Sequence, residues 1–323
     1  MAGGQERILR RRIRSVQSTK KITRAMELIA ASRIVRAQAR VEAAVPYSDQ
    51  ITEVVHDLAD AGGAIDSPLL VPRPEIRRVA HIVITADRGL CGAYNSSVLR
   101  AAEGEIEEHR ELGRDSSVYV VGRKGESYFR YRRFPVEASF TGFSDQPSYE
   151  DARAIAGAVR DPFLDETIDM VQAIYTRFIT VGSQEVVVRP LMPLERAIAS
   201  EEDEPRGQAG QEEGPRAGYE FEPGPEEILE RLLPRYVEAR LYAALLNAAA
   251  SEHAARQRAL KAASDNADEL IVNLTRVMNR ARQDAITTEI TEIVGGAEAL
   301  RQIGEAGAEE PFGEDLRVRA YAE

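Results

Sequence analysis

Both ends of this chain read as long helices, and no other feature restricts its fold as strongly. Near the N-terminus apolar residues recur at Leu9, Ile13 and Val16, at Ile22, Met26 and Ile29, and at Ala30, Ile34, Ala37, Val41 and Ala44. That 3,4 spacing marks a coiled-coil seam. The seam slips between Lys20 and Glu27, where polar residues enter the stripe, so an imperfect coil is expected. Pro46 should bend the helix, which Ile51, Val54, Val55 and Leu58 then carry on to a stop at Gly62-Gly63. Toward the other end, a turn at Pro225 and a restart at Pro234, a residue suited to the first helical position, lead into a second seam. It runs Leu260, Ala263, Ala267, Leu270, Leu274, Val277, Ala281. From Pro234 to Val294 about 60 residues at 1.5 Å each make a rod of roughly 90 Å, far longer than a domain is wide. Two such helices are expected to lie against each other and reach away from whatever stands between them.

The intervening pattern alternates strands and helices. Arg78 to Ala86 reads as a buried strand, and Gly89 to Asn95 as a tight turn with Asn95 capping a helix from Ser96 to Leu112. Ser117 to Gly122 reads as a second strand and Ser148 to Arg160 as a second helix. Two further strands follow, at Ile168 to Ile179 and Glu185 to Leu191. This is a small Rossmann-like α/β domain set between the helices. Its GLCG turn at 89–92 lacks the G-x-G-x-x-G fingerprint, and the chain has no G-x-x-x-x-G-K-[ST] loop, so no nucleotide or other cofactor is expected.

Charge and composition remove several function classes. The net charge of −11 hides a basic first helix, in which eleven Lys and Arg up to Arg40 face only Glu6 and Glu27. Acid concentrates at 201–204 and 212–227 and in the tail. A basic helix is also an electrostatic footprint for nucleic acid, but no aromatic residue precedes Tyr47 and no DNA-reading fold surrounds it. An acidic protein partner fits better. The histidines at 56, 81, 109 and 253 have no metal-ligand spacing, and the lone Cys91 cannot close an internal disulfide. Asp87, beside Arg88 and Cys91 at a strand end, stands where α/β domains place chemistry. With no histidine nearby to activate a nucleophile, it is read as tying down the turn and Cys91 as small filler. No apolar stretch approaches the roughly 20 residues that span a bilayer, so a cytosolic chain, or one peripheral to a membrane on the cytosolic side, is expected.

Three strings carry a family resemblance. RRIRSVQSTKKITRAMELIAASRIVRAQ at Arg11 to Gln38, ITADRGLCGAYN at Ile84 to Asn95, and ASEHAARQRALKAASDNADELI through NRARQDAITTEITEIVGGA from Ala250 resemble the gamma subunits of F-type ATP synthases, in family order and spacing. The resemblance implies α/β with long terminal helices, that is, an antiparallel coiled coil plus an inserted Rossmann-like domain. It implies a noncatalytic central-stalk rotor of a proton-translocating complex on the cytoplasmic face of the cell membrane. The implied partners are the alpha and beta subunits of the catalytic ring, the epsilon subunit and the proteolipid c-ring, with no nucleic acid and no small-molecule substrate. Arg11, Arg12, Lys20, Lys21, Arg24 and Met26 would meet the catalytic ring from the first helix. Arg282, Gln283 and Thr287 would hydrogen-bond to it from the last, while Ile286, Ile290, Ile293 and Val294 turn in an apolar collar.

The expected organisation is a coiled-coil helix at 1–60, an α/β domain at 75–195, an acidic flexible loop at 196–224, a second coiled-coil helix at 225–303 and a flexible tail at 304–323. The loop, low in apolar residues and containing Gly and Pro, has the composition of a disordered segment. The tail has no role in the family.

Overall fold

The computed structural model describes residues 2–62, 67–194 and 224–307. The acidic loop, apart from Gly224, and the tail beyond Gly307 lie outside the described residues. The chain forms two compact units, one of Met1–Ile22 with Ser264–Glu323 and the other of Thr23–Ala263. Helix α1 is Ala2–Gly62 and helix α5 is Pro225–Gly307. Neither Pro46 nor Pro234 interrupts the helix it sits in. The restart expected at Pro234 is therefore corrected, since α5 is already helical from Pro225.

In the first unit α1 buries Ile13 and half-buries Leu9, Val16 and Lys20. On α5 the inward positions are Ser264, Ala267, Ile271, Leu274, Met278, Ala281 and Ala285, a strict 3,4 alternation. The seam thus takes a different phase from the one expected. Leu270 and Val277 are 39% and 49% exposed, and Ala263 is exposed as well. Two adjacent heptad phases share Leu260, Ala267, Leu274 and Ala281, so spacing alone leaves the choice between them open. The position of the partner helix makes it.

A similar correction applies to α1. Ile22 and Ile29 are 58% and 55% exposed, while Thr23 and Glu27 take inward positions followed by Ala30, Ile34 and Ala37. The stripe does not slip here; polar side chains occupy it in register, and the neighbouring apolar ones face outward. A helix facing only water would not place Leu28 and Ile29 outside and Glu27 inside.

The second unit is built on a five-stranded sheet. Its elements are β1 Arg78–Ile84, α2 Tyr94–Glu111, β2 Asp115–Val121, α3 Arg123–Arg132, β3 Val136–Phe140, α4 Tyr149–Leu164, β4 Met170–Phe178 and β5 Gln184–Met192. The strand order is β3-β2-β1-β4-β5, all parallel except the antiparallel edge strand β5. β1 is the central strand, and its run VAHIVI is buried on both faces as a parallel strand requires. α4 starts at Ser148, whose hydroxyl and backbone N–H form a reciprocal capping box with Asp151. α3 and β3 were not expected. Half of the α3 residues are charged, which leaves it little apolar period, whereas β3 alternates apolar and polar residues over only five positions at the sheet edge.

The terminal helices share the core of this domain. Ile51, Val55 and Leu58 of α1 and Leu229, Leu233, Tyr236, Leu241 and Leu245 of α5 pack with Ile82 and Val171 of the sheet and with Ile155 and Phe163 of α4. Each large apolar side chain buried this way contributes about 1.5–3 kcal/mol. On the other face α2 supplies Val98, Leu99 and Ile106 and α3 supplies Phe129. Within this unit Arg33 lies near His253 and Thr52 near Tyr236, so α1 and α5 run antiparallel.

Candidate functional site

At the carboxyl ends of the strands, where open α/β sheets hold ligands, the chain fills the crevice with itself. Asp87 leaves β1 and gathers two other strand ends. Its Oδ1 accepts from Arg123 N at 3.1 Å, and its Oδ2 accepts from Gly142 N at 2.8 Å and Ser144 N at 3.0 Å. Its own N–H donates to Ser144 Oγ at 2.8 Å. The structural reading of Asp87 holds, although it ties the turns after β2 and β3 rather than the turn that follows it. Asn95 differs from its expected role, because Ala93 is the N-cap of α2. The Asn95 side chain instead accepts from Ala86 N at 2.9 Å and donates to Cys91 Sγ at 3.1 Å, fastening the end of β1 to the helix. Cys91 is buried, and desolvation raises its thiol pKa, which opposes use as a nucleophile.

Onto these strand ends α5 lays a polar face that sequence reasoning missed. Glu252 accepts from Ser144 Oγ at 3.1 Å and lies 2.7 Å from Arg256 Nη2. Burial pushes the Glu252 carboxyl above the usual carboxylate range, against the pull of Arg256 and Ser144. The Arg256 guanidinium donates to the carbonyls of Arg88 and Gly89 at 3.3 Å. Ser251 Oγ donates to Thr176 O at 3.0 Å, Tyr94 OH to Ala248 O at 3.2 Å, and Phe178 N to Asn247 Oδ1 at 3.3 Å. Arg33 of α1 pairs with Asp145 in the same loop as Ser144. The α5 helix is thereby bonded to the β1–α2 turn, β4 and the β3–α4 loop by directional contacts in a dry setting. The only hint in the sequence is Glu252 and Arg256, charged at i and i+4 within an alanine-rich stretch.

The residues expected to meet a partner are mostly on the surface. In the first unit Arg11, Arg12 and Lys21 are exposed and make no ion pair among the described residues. Lys20 instead reaches across to Asp268 of α5. In the second unit Arg24 pairs with Glu27 at 2.9 Å, and Met26 is half-buried. Near the end of α5, Arg282 and Gln283 are exposed. The Thr287 hydroxyl donates to Gln283 O at 3.0 Å in its own helix. Ile286, Ile290, Ile293 and Val294 are 47–65% exposed, an apolar surface that none of the described residues covers. Among the described residues no His, Cys, Asp and Glu group could hold a metal, and no helix is long and apolar enough to cross a membrane.

Against known proteins, a family model described as ATP synthase matches residues 5–300. The ATP synthase gamma chain of Frankia casuarinae is 53% identical over 302 residues, covering 92% of this chain and 98% of the relative. That of Mycolicibacterium smegmatis is 49% identical over 308 residues, covering 91% and 97%. A chain of the central stalk and c-ring of the Tetrahymena thermophila mitochondrial ATP synthase superposes with a TM-score of 0.55 at 26% identity, over 75% of this chain and 99% of that one. A chain of the Euglena gracilis mitochondrial ATP synthase, in a structure of OSCP, F1 and c-ring in rotational state 3, shares the fold with a TM-score of 0.64 at 18% identity, over 99% and 100%.

Proposed function

The chain belongs to the ATP synthase gamma-chain family, and we propose from that membership how it works as the central-stalk subunit that couples proton flow to ATP synthesis. It performs no bond chemistry of its own. Three equivalent catalytic sites can be held in different states only by something asymmetric and present once, and a long helical pair supplies that. Its partners are the alpha and beta subunits around the coil and the c-ring and epsilon subunit at the α/β domain, on the cytoplasmic face of the membrane.

The observation that carries this reading is the bonding of α5 to the sheet. Torque delivered to the α/β domain has to enter the helix without slippage, and the contacts of Glu252, Arg256 and Ser251 link them by directional bonds rather than by apolar packing alone. The outer surface has the opposite requirement. Exposed ion pairs are worth about 0–1 kcal/mol each, which suits contacts made and broken at every step of rotation. Arg11, Arg12, Lys20, Lys21 and Arg24 with Met26 form the basic contact to the ring. Arg282, Gln283 and Thr287 form the polar contact near the end of α5, and Ile286, Ile290, Ile293 and Val294 turn within an apolar collar.

Purification of the tagged chain from its own cell membranes tests the assignment. Recovery in a large ATP-hydrolysing complex at one copy per three catalytic sites is expected. Recovery alone, or with nucleic acid, rules it out.

A further inference from the structure

We propose that the second unit carries a binding site for a phosphate-sized oxyanion between the N-terminus of α2, the end of β4 and α5. A cavity of about 380 Å³ lies there, lined among others by Gly92, Tyr94, Ser97, Thr176, Gln184 and Arg258, within the size range of small-ligand sites. Four features give it anion chemistry.

The first turn of the 18-residue α2 lines the cavity through Ala93, Tyr94 and Ser97; Tyr94 N already donates to Cys91 O and Ser97 N to Ala93 O, so the helix offers the cavity the positive end of its dipole. That positive end favours an anion. Thr176 is only 6% exposed, yet its Oγ1 has no hydrogen-bond partner, although its carbonyl accepts from Ser251. A buried hydroxyl in that condition calls for an acceptor to donate to. Arg258 supplies a positive charge and is held in place by Val181 O and Gln184 Oε1. The lining contains no acidic side chain.

The size of the ligand follows from what α5 occupies. Arg256 covers the carbonyls of Arg88 and Gly89, so the crevice above β1 is closed to a dinucleotide. Flanking Arg256 on the same helix, Ala255 and Ala259 present only methyl groups, and the left-handed Gly92 (φ +58) would bring a Cβ to 3.6 Å from Ala259. The space that survives is set against the first strand-to-helix turn, where doubly wound folds hold a phosphate. Inorganic phosphate and the terminal phosphate of a nucleotide share this chemistry.

Calorimetric titration of the full chain with sodium phosphate, and competition by ATP and ADP, tests the site. Saturable 1:1 binding is expected, weakened about tenfold or more by Thr176→Val, which keeps shape and removes the hydroxyl, and likewise by Arg258→Gln. The unfolding midpoint should rise with phosphate in the unmodified chain and rise less in both variants. Displacement by ATP or ADP would identify a nucleotide as the source and its absence the free ion, and either supports the site. If Thr176→Val fails to fold, the exposed Arg258→Gln carries the comparison. Absence of saturable binding, or binding indifferent to the substitutions, overturns the proposal.

Discussion

Removing the Arg256 guanidinium would leave the Glu252 carboxylate, 1% exposed, without its ion-pair partner. Breaking a buried pair from one side costs about 3–5 kcal/mol, because an uncompensated charge remains in a dry site. Arg256→Ala should therefore lower the denaturant midpoint by that equivalent, and Glu252→Gln by less, since the amide oxygen can still accept from Ser144 and the Arg256 guanidinium keeps the carbonyls of Arg88 and Gly89. Equal stability of Arg256→Ala and the unmodified chain in urea titrations would show that the pair is solvated in solution. Two histidines add an acid dependence. Burial holds His81, wedged between Ser116, Gln172 and the His109 ring, at a pKa of about 3, and His253 beside Asp145 O at about 4. Both folded values lie below the unfolded value of about 6.5, so the unfolded state binds protons first as the pH falls. Their contribution is intact above pH 6.5 and is lost between there and about pH 4 for His253 and about pH 3 for His81, at up to about 1.4 kcal/mol per pH unit for each histidine. His81→Gln should remove its share of that slope in denaturation series between pH 7 and 5; an unchanged slope would mean that the ring is hydrated.

Within each helix the phase of burial decides which substitutions matter. Leu274 is buried in the first unit and Leu270 is 39% exposed, although the two are equivalent in a bare 3,4 count. Leu274→Ala should cost about 2–5 kcal/mol and Leu270→Ala well under half of that, read from thermal or chemical unfolding. The reverse order would restore the other phase. On α1, Arg11, Arg12 and Lys21 are the cations to reverse together, because Lys20 and Arg24 already serve Asp268 and Glu27. Replacing all three with Glu should uncouple ATP hydrolysis from proton pumping in membrane vesicles, or weaken assembly, with helix content unchanged. Normal pumping per ATP in the triple variant would contradict an acidic partner. The basic charge of this helix was legible from composition, since charge needs no geometry. The diversion of Lys20 was not, because Asp268 is 248 residues away in sequence.

For the whole molecule, the exposed apolar residues Ile286, Ile290, Ile293 and Val294 lie on a helix that continues to Gly307, and the collar contact proposed above would cover them. A chain ending at Ile303 keeps them and should assemble and support ATP synthesis nearly as well as the full chain. One ending at Asp284 loses them and should weaken both. Equal damage from the two truncations, in assembly and synthesis assays on membranes, would give the tail a binding role of its own.

Repeat spacing, buried strand runs and charge are properties of neighbouring residues, and for that reason the sequence alone settled the two terminal helices, the basic character of α1, and the strands expected at Arg78 to Ala86 and Ile168 to Ile179, which the structure trims to Arg78–Ile84 and Met170–Phe178. Whatever depends on a partner from far along the chain was settled only by tertiary structure. The approach of one helix to the other chose between two equivalent heptad phases and put Glu27 inside while Ile29 faced out. The edge strand VEASF alternates apolar and polar residues strictly, so its extended form was legible too, and only its pairing with β2 needed the sheet. Glu252 and Ser144, 108 residues apart, became one joint because α5 crosses the strand ends there, and no local pattern in either segment specifies that crossing.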